Sequence, residues 1–233
     1  MKIAILGYGK MGKEIEKIAL QEKYHIVSII DKKKLFGDIK DADVAINFST
    51  PDSALENIFS ALNHSIPVVS GTTGWLKDFE KVVKFTQKQN TAFLYSSNFS
   101  FGVNLFFKLN LELSKLMKKN TDYNISIKET HHNQKIDTPS GTAISLADDI
   151  IKNSKYDNWG LDQRSEKNII SIESQRKEKV HGVHEVSYNS ILDNISIRHE
   201  SFSRKSFAKG ALVAALWIKE KKGVFGMNDV LNF

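Results

Sequence analysis

Residues 2–12 read Lys2-Ile-Ala-Ile-Leu-Gly-Tyr-Gly-Lys-Met-Gly12, an apolar run of strand length that breaks into a G-x-G-x-x-G turn. Met11, Ile15, Ile18 and Ala19 recur behind it at helical spacing, so the glycines stand between a strand and a helix. A dinucleotide-binding fold needs that context. The glycines permit the tight turn and the close approach of a pyrophosphate, which then lies on the helix N-terminus. Glycines also make ordinary turns, and it is the placement that gives this pattern weight. The reading sets a dinucleotide on Gly7, Tyr8, Gly9, Lys10, Met11 and Gly12.

Working outward, residues 25–30 form a second strand that ends at Asp31, 19 residues beyond Gly12. An acidic residue there accepts hydrogen bonds from the adenosine ribose hydroxyls, which favours NADH. Lys32, Lys33 and Lys34 follow at once and suit the 2′-phosphate of NADPH, so use of either cofactor is expected. Residues 44–48, 67–70 and 91–95 read as further strands with helical stripes between them. Thr50 is placed to cap the helix that Pro51 begins. Such alternation argues a Rossmann-type, doubly wound parallel sheet of the α/β class. Ligands lie beyond the carboxyl ends of such strands, so Gly71, Thr72 and Thr73, with Ser96, Ser97, Asn98 and Phe99, are candidates for the nicotinamide end.

From Gly102 the pattern changes. A helix over residues 103–118 leads to a strand at 123–130, with Tyr123, Ile125 and Ile127 on one face. Residues 153–167 are polar and read as loop. Strand-like runs at 169–175, 184–188 and 195–200 follow without intervening helices, which suggests a smaller α+β domain with an open mixed sheet. Residues 207–218 read as a core helix returning to the first domain, with Phe207, Leu212, Ala215 and Trp217 among its buried candidates. The expected division is 1–100 with 204–233 for the dinucleotide, and 101–203 for substrate binding and oligomerisation.

The second domain holds Glu129-Thr-His-His-Asn-Gln-Lys-Ile-Asp-Thr-Pro-Ser-Gly-Thr-Ala143, set where a strand ends and a helix begins. Backbone N–H groups at a helix start can hold an anion, His trades protons near neutral pH, and Lys balances developing negative charge. A lone histidine at a strand end is more often solvated or satisfied in a core. His-His-x-x-Lys running into a helix start is harder to read that way.

The 233 residues, 41% hydrophobic and 26% charged, have ordinary globular composition. The absence of cysteine excludes disulfides and thiolate metal sites. No signal peptide or membrane span is read, and a cytoplasmic protein is expected. A net charge of +6 favours anionic partners. The lysines are dispersed and no zinc-finger spacing occurs, so small anions are favoured over nucleic acid.

The Glu129–Ala143 motif resembles the signature of the dihydrodipicolinate reductase family. So do Phe48-Ser-Thr-Pro51, Gly71-Thr-Thr-Gly74, Asn98-Phe-Ser-x-Gly-Val-Asn104, Gly182-x-His184 and Arg204-x-x-Phe-Ala-x-Gly-Ala211. The resemblance covers nearly the whole chain. It implies NADH- or NADPH-dependent reduction of 4-hydroxy-tetrahydrodipicolinate to tetrahydrodipicolinate in lysine and diaminopimelate biosynthesis. His131 would be the proton donor and Lys135 the second catalytic residue. His132, Gly141 and Thr142 would bind a dicarboxylate substrate, with no metal and with a homotetrameric assembly. The chain departs from the family's usual pattern at Asn47, at Thr138, at Lys177 and Glu178, and in a shortened segment between Asp31 and Asp43. Two other readings remain. A dinucleotide-binding redox sensor would have no need of His-His-x-x-Lys, and another two-domain amino-acid dehydrogenase would lack the Pro-Ser-Gly-Thr turn.

Overall fold

The computed structural model describes residues 1–32, 34–163 and 168–232. In chain order its elements are β1 (Lys2–Leu6), α1 (Lys10–Gln21), β2 (His25–Asp31), β3 (Lys34–Gly37), β4 (Val44–Asn47), α2 (Pro51–Leu62), β5 (Val68–Ser70), α3 (Phe79–Lys88), β6 (Ala92–Tyr95) and α4 (Phe101–Met117). There follow β7 (Asn124–His131), α5 (Gly141–Ile151), β8 (Asn158–Leu161), β9 (Ile169–Arg176), β10 (Gly182–Asn189), β11 (Asn194–Ser201), α6 (Lys205–Ile218), β12 (Gly223–Phe225) and α7 (Met227–Leu231). Two compact units result, Met1–Phe101 with Arg204–Phe233, and Gly102–Ser203. Among the described residues no helix is long and apolar enough to cross a membrane.

The first unit is built on a seven-stranded sheet in the order β12-β6-β5-β4-β1-β2-β3. Its ladders are parallel except at the β3 edge, which runs antiparallel to β2. Strand β1 shows why the sequence is apolar throughout. Ile3 and Ile5 pack with Ile15, Ile18 and α6 on one face, while Ala4 and Leu6 pack with Ala54, Ile58 and Val82 on the other. A strand buried on both sides has no polar face to show.

Helix α6 offers small residues to this core. Ala208, Gly210, Ala211, Ala214 and Ala215 are buried on it, and a Cβ on Gly210 would collide with the carbonyl of Phe99. Leu212 and Ala215 are buried as expected, whereas Phe207 and Trp217 are only partly so. Close approach of the helix leaves no room for large rings between helix and strands, and Trp217 lies edge-on to Phe225 at 5.0 Å instead. Thr50 stands at the N-cap of α2, yet its hydroxyl pairs with Ser53 Oγ at 2.6 Å rather than capping the helix.

The second unit holds a five-stranded mixed sheet in the order β11-β10-β7-β9-β8. Strand β10 runs antiparallel to both β11 and β7, and β7, β9 and β8 are parallel. Helix α5 covers one face with Ala143, Leu146, Ala147 and Ile150, against Ile125, Ile127, Ile170, Ile172, Val186 and Tyr188. Full burial of a side chain such as Leu146 or Ile150 contributes about 1.5–3 kcal/mol. Along β10 the residues facing α5 are buried, and Val183, Glu185 and Ser187 between them are half-buried. That alternation marks a sheet with one covered face.

Three strands are not legible as strands in the sequence. Strand β8 lies within residues 153–167, read above as loop, and pairs in parallel with β9. Strands β3 and β12 are edge strands of four and three residues, too short to show alternation. Their pairing is decided by the neighbouring strand, not by their own pattern. Lys33 and residues 164–167, which the sequence reading also touched, lie outside the described residues.

Candidate active site

The residues read as a dinucleotide site lie at the carboxyl ends of neighbouring strands of the first unit. Gly7 follows β1, Asp31 ends β2, Gly71 to Thr73 follow β5 and Ser96 to Phe99 follow β6. The three glycines of the first turn have different tasks. Gly7 has a φ of +91°, and a Cβ there would strike the backbone of Phe48. A Cβ on Gly12 would strike the carbonyl of Gly7, so the helix could not sit against the turn. At Gly9 a Cβ would meet nothing within 4 Å. Gly9 caps α1 without a side-chain hydrogen bond, so the first N–H groups of the helix face that open space. Those N–H groups could hold a pyrophosphate.

Asp31 is drawn into the same turn, its Oδ2 accepting the Tyr8 N–H at 2.8 Å. The Tyr8 ring has Lys34 Nζ 4.0 Å from its centroid, and its hydroxyl pairs with Glu16. Thr72 acts inward, its Oγ1 accepting the Ser49 N–H at 2.9 Å. Phe99 is buried in the core with its ring edge-on to Phe48 at 5.6 Å, so only its backbone could be offered to a ligand.

In the second unit, β7 ends at His131 in the middle of the sheet. His131 is opposite Arg176 on β9, and Glu129 is opposite both His184 on β10 and Ser174 on β9. Opposed residues share a sheet face, so these five polar side chains converge from three strands. Glu129 is fully buried. Its carboxylate accepts the Ser140 N–H at 3.1 Å and the Ser174 hydroxyl at 2.9 Å, and it lies 3.4 Å from Arg176 Nη1. His131 Nδ1 stands 3.4 Å from Glu129 Oε2, and His184 Nε2 stands 3.7 Å from the same oxygen. The two imidazoles meet at 4.9 Å between centroids.

Ser140 also caps α5. Its Oγ accepts the Ala143 N–H at 3.2 Å and lies 3.1 Å from His184 Nε2. Gly141 and Thr142 therefore hold the first-turn N–H groups of α5 that have no acceptor within the helix, and a Cβ on Gly141 would meet open space. In the intervening loop the Lys135 ammonium is held by both oxygens of Asp137 at 2.8 Å. Histidine 132 is half-buried. The sequence reading gave no task to Glu129, Ser140, Ser174, Arg176 or His184. The last three come from strands more than 40 residues away, and only Gly182-x-His184 left a signal.

Burial sets the charge states. It pushes the His131 pKa from 6.5 to about 4, against the pull of Glu129 and with Lys135 and Arg176 pushing the same way. Burial likewise takes His184 to about 3, with the neighbouring His131 adding to the shift. Burial would raise Glu129, but hydrogen bonds from Ser140 and Ser174 outweigh it and hold the carboxyl below its usual range. The site at rest is thus one carboxylate and two neutral imidazoles.

Both histidines bind protons more readily unfolded, near pKa 6.5, so stability is complete above that pH. It falls as pH drops towards 4, by up to roughly 1.4 kcal/mol per unit for each histidine. Urea titrations at pH 7.5 and pH 5 measure the slope, and His184→Asn should flatten it. Equal stability at the two values would contradict these charge states.

By distance alone Glu129, His131 and His184 could also hold a metal ion. Arg176 already occupies the carboxylate, and with Lys135 it places fixed positive charge at the cluster, which opposes a second cation. The arrangement suits proton handling.

Comparison with known proteins identifies the framework. The family described as Dihydrodipicolinate reductase, N-terminus, matches residues 1–99, and Dihydrodipicolinate reductase, C-terminus, matches residues 102–231. The chain belongs to the dihydrodipicolinate reductase family. Reductases of this family use NADH or NADPH. Among its relatives, the 4-hydroxy-tetrahydrodipicolinate reductase of Christiangramia forsetii is 48% identical, over 100% of this chain and 98% of that protein. The Rickettsia rickettsii protein of the same name is 37% identical, over 95% of each. A dihydrodipicolinate reductase from Paenisporosarcina sp. TG-14, solved with dipicolinate bound, shares the fold with a TM-score of 0.78. It is 22% identical, over 98% of each chain.

The departures from the dihydrodipicolinate reductase pattern have local partners. Asn47 is fully buried and donates to Ser70 Oγ at 3.1 Å. Thr138 gives Arg176 an acceptor at 2.7 Å, beside the Asp137 carbonyl at the same distance. In the loop that carries Lys177 and Glu178, Lys179 supplies the left-handed turn with a φ of 62°. The shortened segment after Asp31 folds as β3, where Gly37 turns at a φ of +68° against the Val27 carbonyl.

Proposed function

We propose that this chain catalyses the NAD(P)H-dependent reduction of 4-hydroxy-tetrahydrodipicolinate to tetrahydrodipicolinate, with loss of water, in lysine and diaminopimelate biosynthesis. The observation that carries the proposal is the pairing of a buried His131 on Glu129 with a helix start that Ser140 ties to the same carboxylate. A proton donor and an anion-binding helix terminus then share one support. The nicotinamide supplies the hydride.

His131 protonates the electron-rich product, a task for a donor whose pKa rises once anionic substrate offsets Lys135 and Arg176. The N–H groups of Gly141 and Thr142 hold one substrate carboxylate, with His132 beside them. Lys135 exchanges its Asp137 partner for substrate charge. The dipicolinate bound by the Paenisporosarcina protein, a planar dicarboxylate, supports this ligand class. Absorbance decay of NAD(P)H, with substrate made in situ from pyruvate and aspartate semialdehyde, tests the activity. No decay with fresh substrate would end the proposal.

The dinucleotide-binding task belongs to the first unit and the substrate task to the second. The half-buried sheet face of the second unit supports a homotetramer, and light scattering on the purified protein tests it. A cytoplasmic location suits a biosynthetic enzyme without cysteine, and fractionation tests that.

Both cofactors should turn over. Asp31 anchored on Tyr8 suits a free ribose, while Lys32 and Lys34 suit a 2′-phosphate. Specificity constants should lie within about a hundredfold, since the discriminating contacts are worth roughly 1–3 kcal/mol. Added salt should weaken NADPH more than NADH, because lysine–phosphate attraction is screened. Strict use of one cofactor at every ionic strength would refute this.

A further inference from the structure

Glu129 takes no proton in the chemistry described above, yet it is fully buried at the centre of the cluster. Its Oε1 is engaged by Ser174 and Arg176, and the Ser140 N–H spans both oxygens. Oε2 is left facing the two imidazoles. His131 is buried, and its Nδ1 has no hydrogen-bond partner, with Oε2 3.4 Å away. A buried ring nitrogen left unpaired is costly, and contacts of this kind shorten when ligand closes a site. The other nitrogen, Nε2, lies over Gly182, where a Cβ would come within 3.2 Å. Glycine there keeps that side of the ring open.

We propose that Glu129 is a positioning residue: its Oε2 takes the Nδ1–H of His131, fixes the tautomer of the ring, and leaves Nε2 as the atom that gains and gives the proton. The inference rests on the reading of His131 as proton donor. A solvent proton adds to the Nε2 lone pair and forms an imidazolium countered by the Glu129 carboxylate. Nε2–H then passes to the product and returns the ring to its neutral Nδ1–H form. The carboxylate itself never takes the proton. The charged and titratable groups around His131 are Glu129 on its own strand, Lys135 and Asp137 in the following loop, Arg176 on β9 and His184 on β10, with His199 opposite His184 on β11. Of the two carboxylates, Glu129 is the buried one.

Two measurements decide it. Long-range ¹H–¹⁵N NMR of the histidine-labelled protein at neutral pH should show His131 protonated at Nδ1 and bare at Nε2. A ring protonated at Nε2 overturns the proposal, and this readout needs no variant that might fail to fold. In kinetics, Glu129→Gln keeps the shape and an amide oxygen for Ser140 but loses the charge. It should lower kcat by roughly 10²-fold with substrate KM changed little, and move the alkaline limb of kcat to lower pH by about one unit. In a His131→Ala background it should lower kcat less than about twofold further, since it acts through the ring. A full additional loss there would mean Glu129 acts elsewhere. Should His131→Ala alone leave kcat intact, the donor assignment fails, while the tautomer result stands on its own.

Discussion

Replacing His131 with alanine should lower kcat by roughly 10²–10⁴ and leave the substrate KM nearly unchanged, the usual worth of a positioned acid. The structure sharpens the comparison with its neighbour. His131 points into the cluster with Glu129 and His184, whereas His132 follows it at the start of the loop. His132→Ala should therefore mostly raise KM. Initial rates over a range of substrate at fixed cofactor separate the two outcomes. If both substitutions merely raise KM, His131 holds substrate and another group gives the proton.

The second large effect concerns the glycines of the first turn. A methyl group on Gly9 meets nothing in the protein, but it fills the space assigned to the pyrophosphate. Gly9→Ala should leave the melting temperature within a degree or two. It should raise the cofactor KM by about 10–100-fold, the effect of losing roughly 1.4–2.8 kcal/mol of binding. Gly12→Ala should behave otherwise, because its Cβ collides with the Gly7 carbonyl. Overpacking of that kind costs about 1–3 kcal/mol, so the protein should melt lower as well as bind poorly. Thermal scans beside cofactor titrations distinguish them. A Gly9→Ala protein with unchanged cofactor KM would remove the dinucleotide from this turn.

The glycine turn, the strands and the helical stripes are local features, and the α/β fold was legible from them. Strands β1, β4, β5 and β6 are buried on two faces and announce themselves as apolar runs bounded by turns. Strand β3 carries Lys34, Leu35, Phe36 and Gly37, all exposed, and exists because β2 has an open edge. No pattern within four residues could reveal it. The candidate site divides in the same way. His131, Lys135, Gly141 and Thr142 lie within one stretch, where helix and strand signals could mark them. Arg176 and His184 reach Glu129 only through the register of β9 and β10 against β7. Register is a property of the assembled sheet. Thr138 illustrates the remainder: its value lies in a hydrogen bond to a residue 38 positions away.

Strand β7 is hydrogen-bonded along both edges, to β10 on one side and β9 on the other, and α5 shields the face that bears His131. Amide hydrogens from Ser126 to Thr130 can therefore exchange with solvent only when the sheet opens around them, while those of the loop from His132 to Thr138 exchange by local fluctuation. His131, the proposed proton donor, stands at the end of this slowly exchanging strand, and Lys135 lies on the quickly exchanging loop beside it. Heat or denaturant would accordingly find no folded form that has lost the histidine's alignment alone, whereas a protease nick in the loop could silence Lys135 and leave the sheet standing.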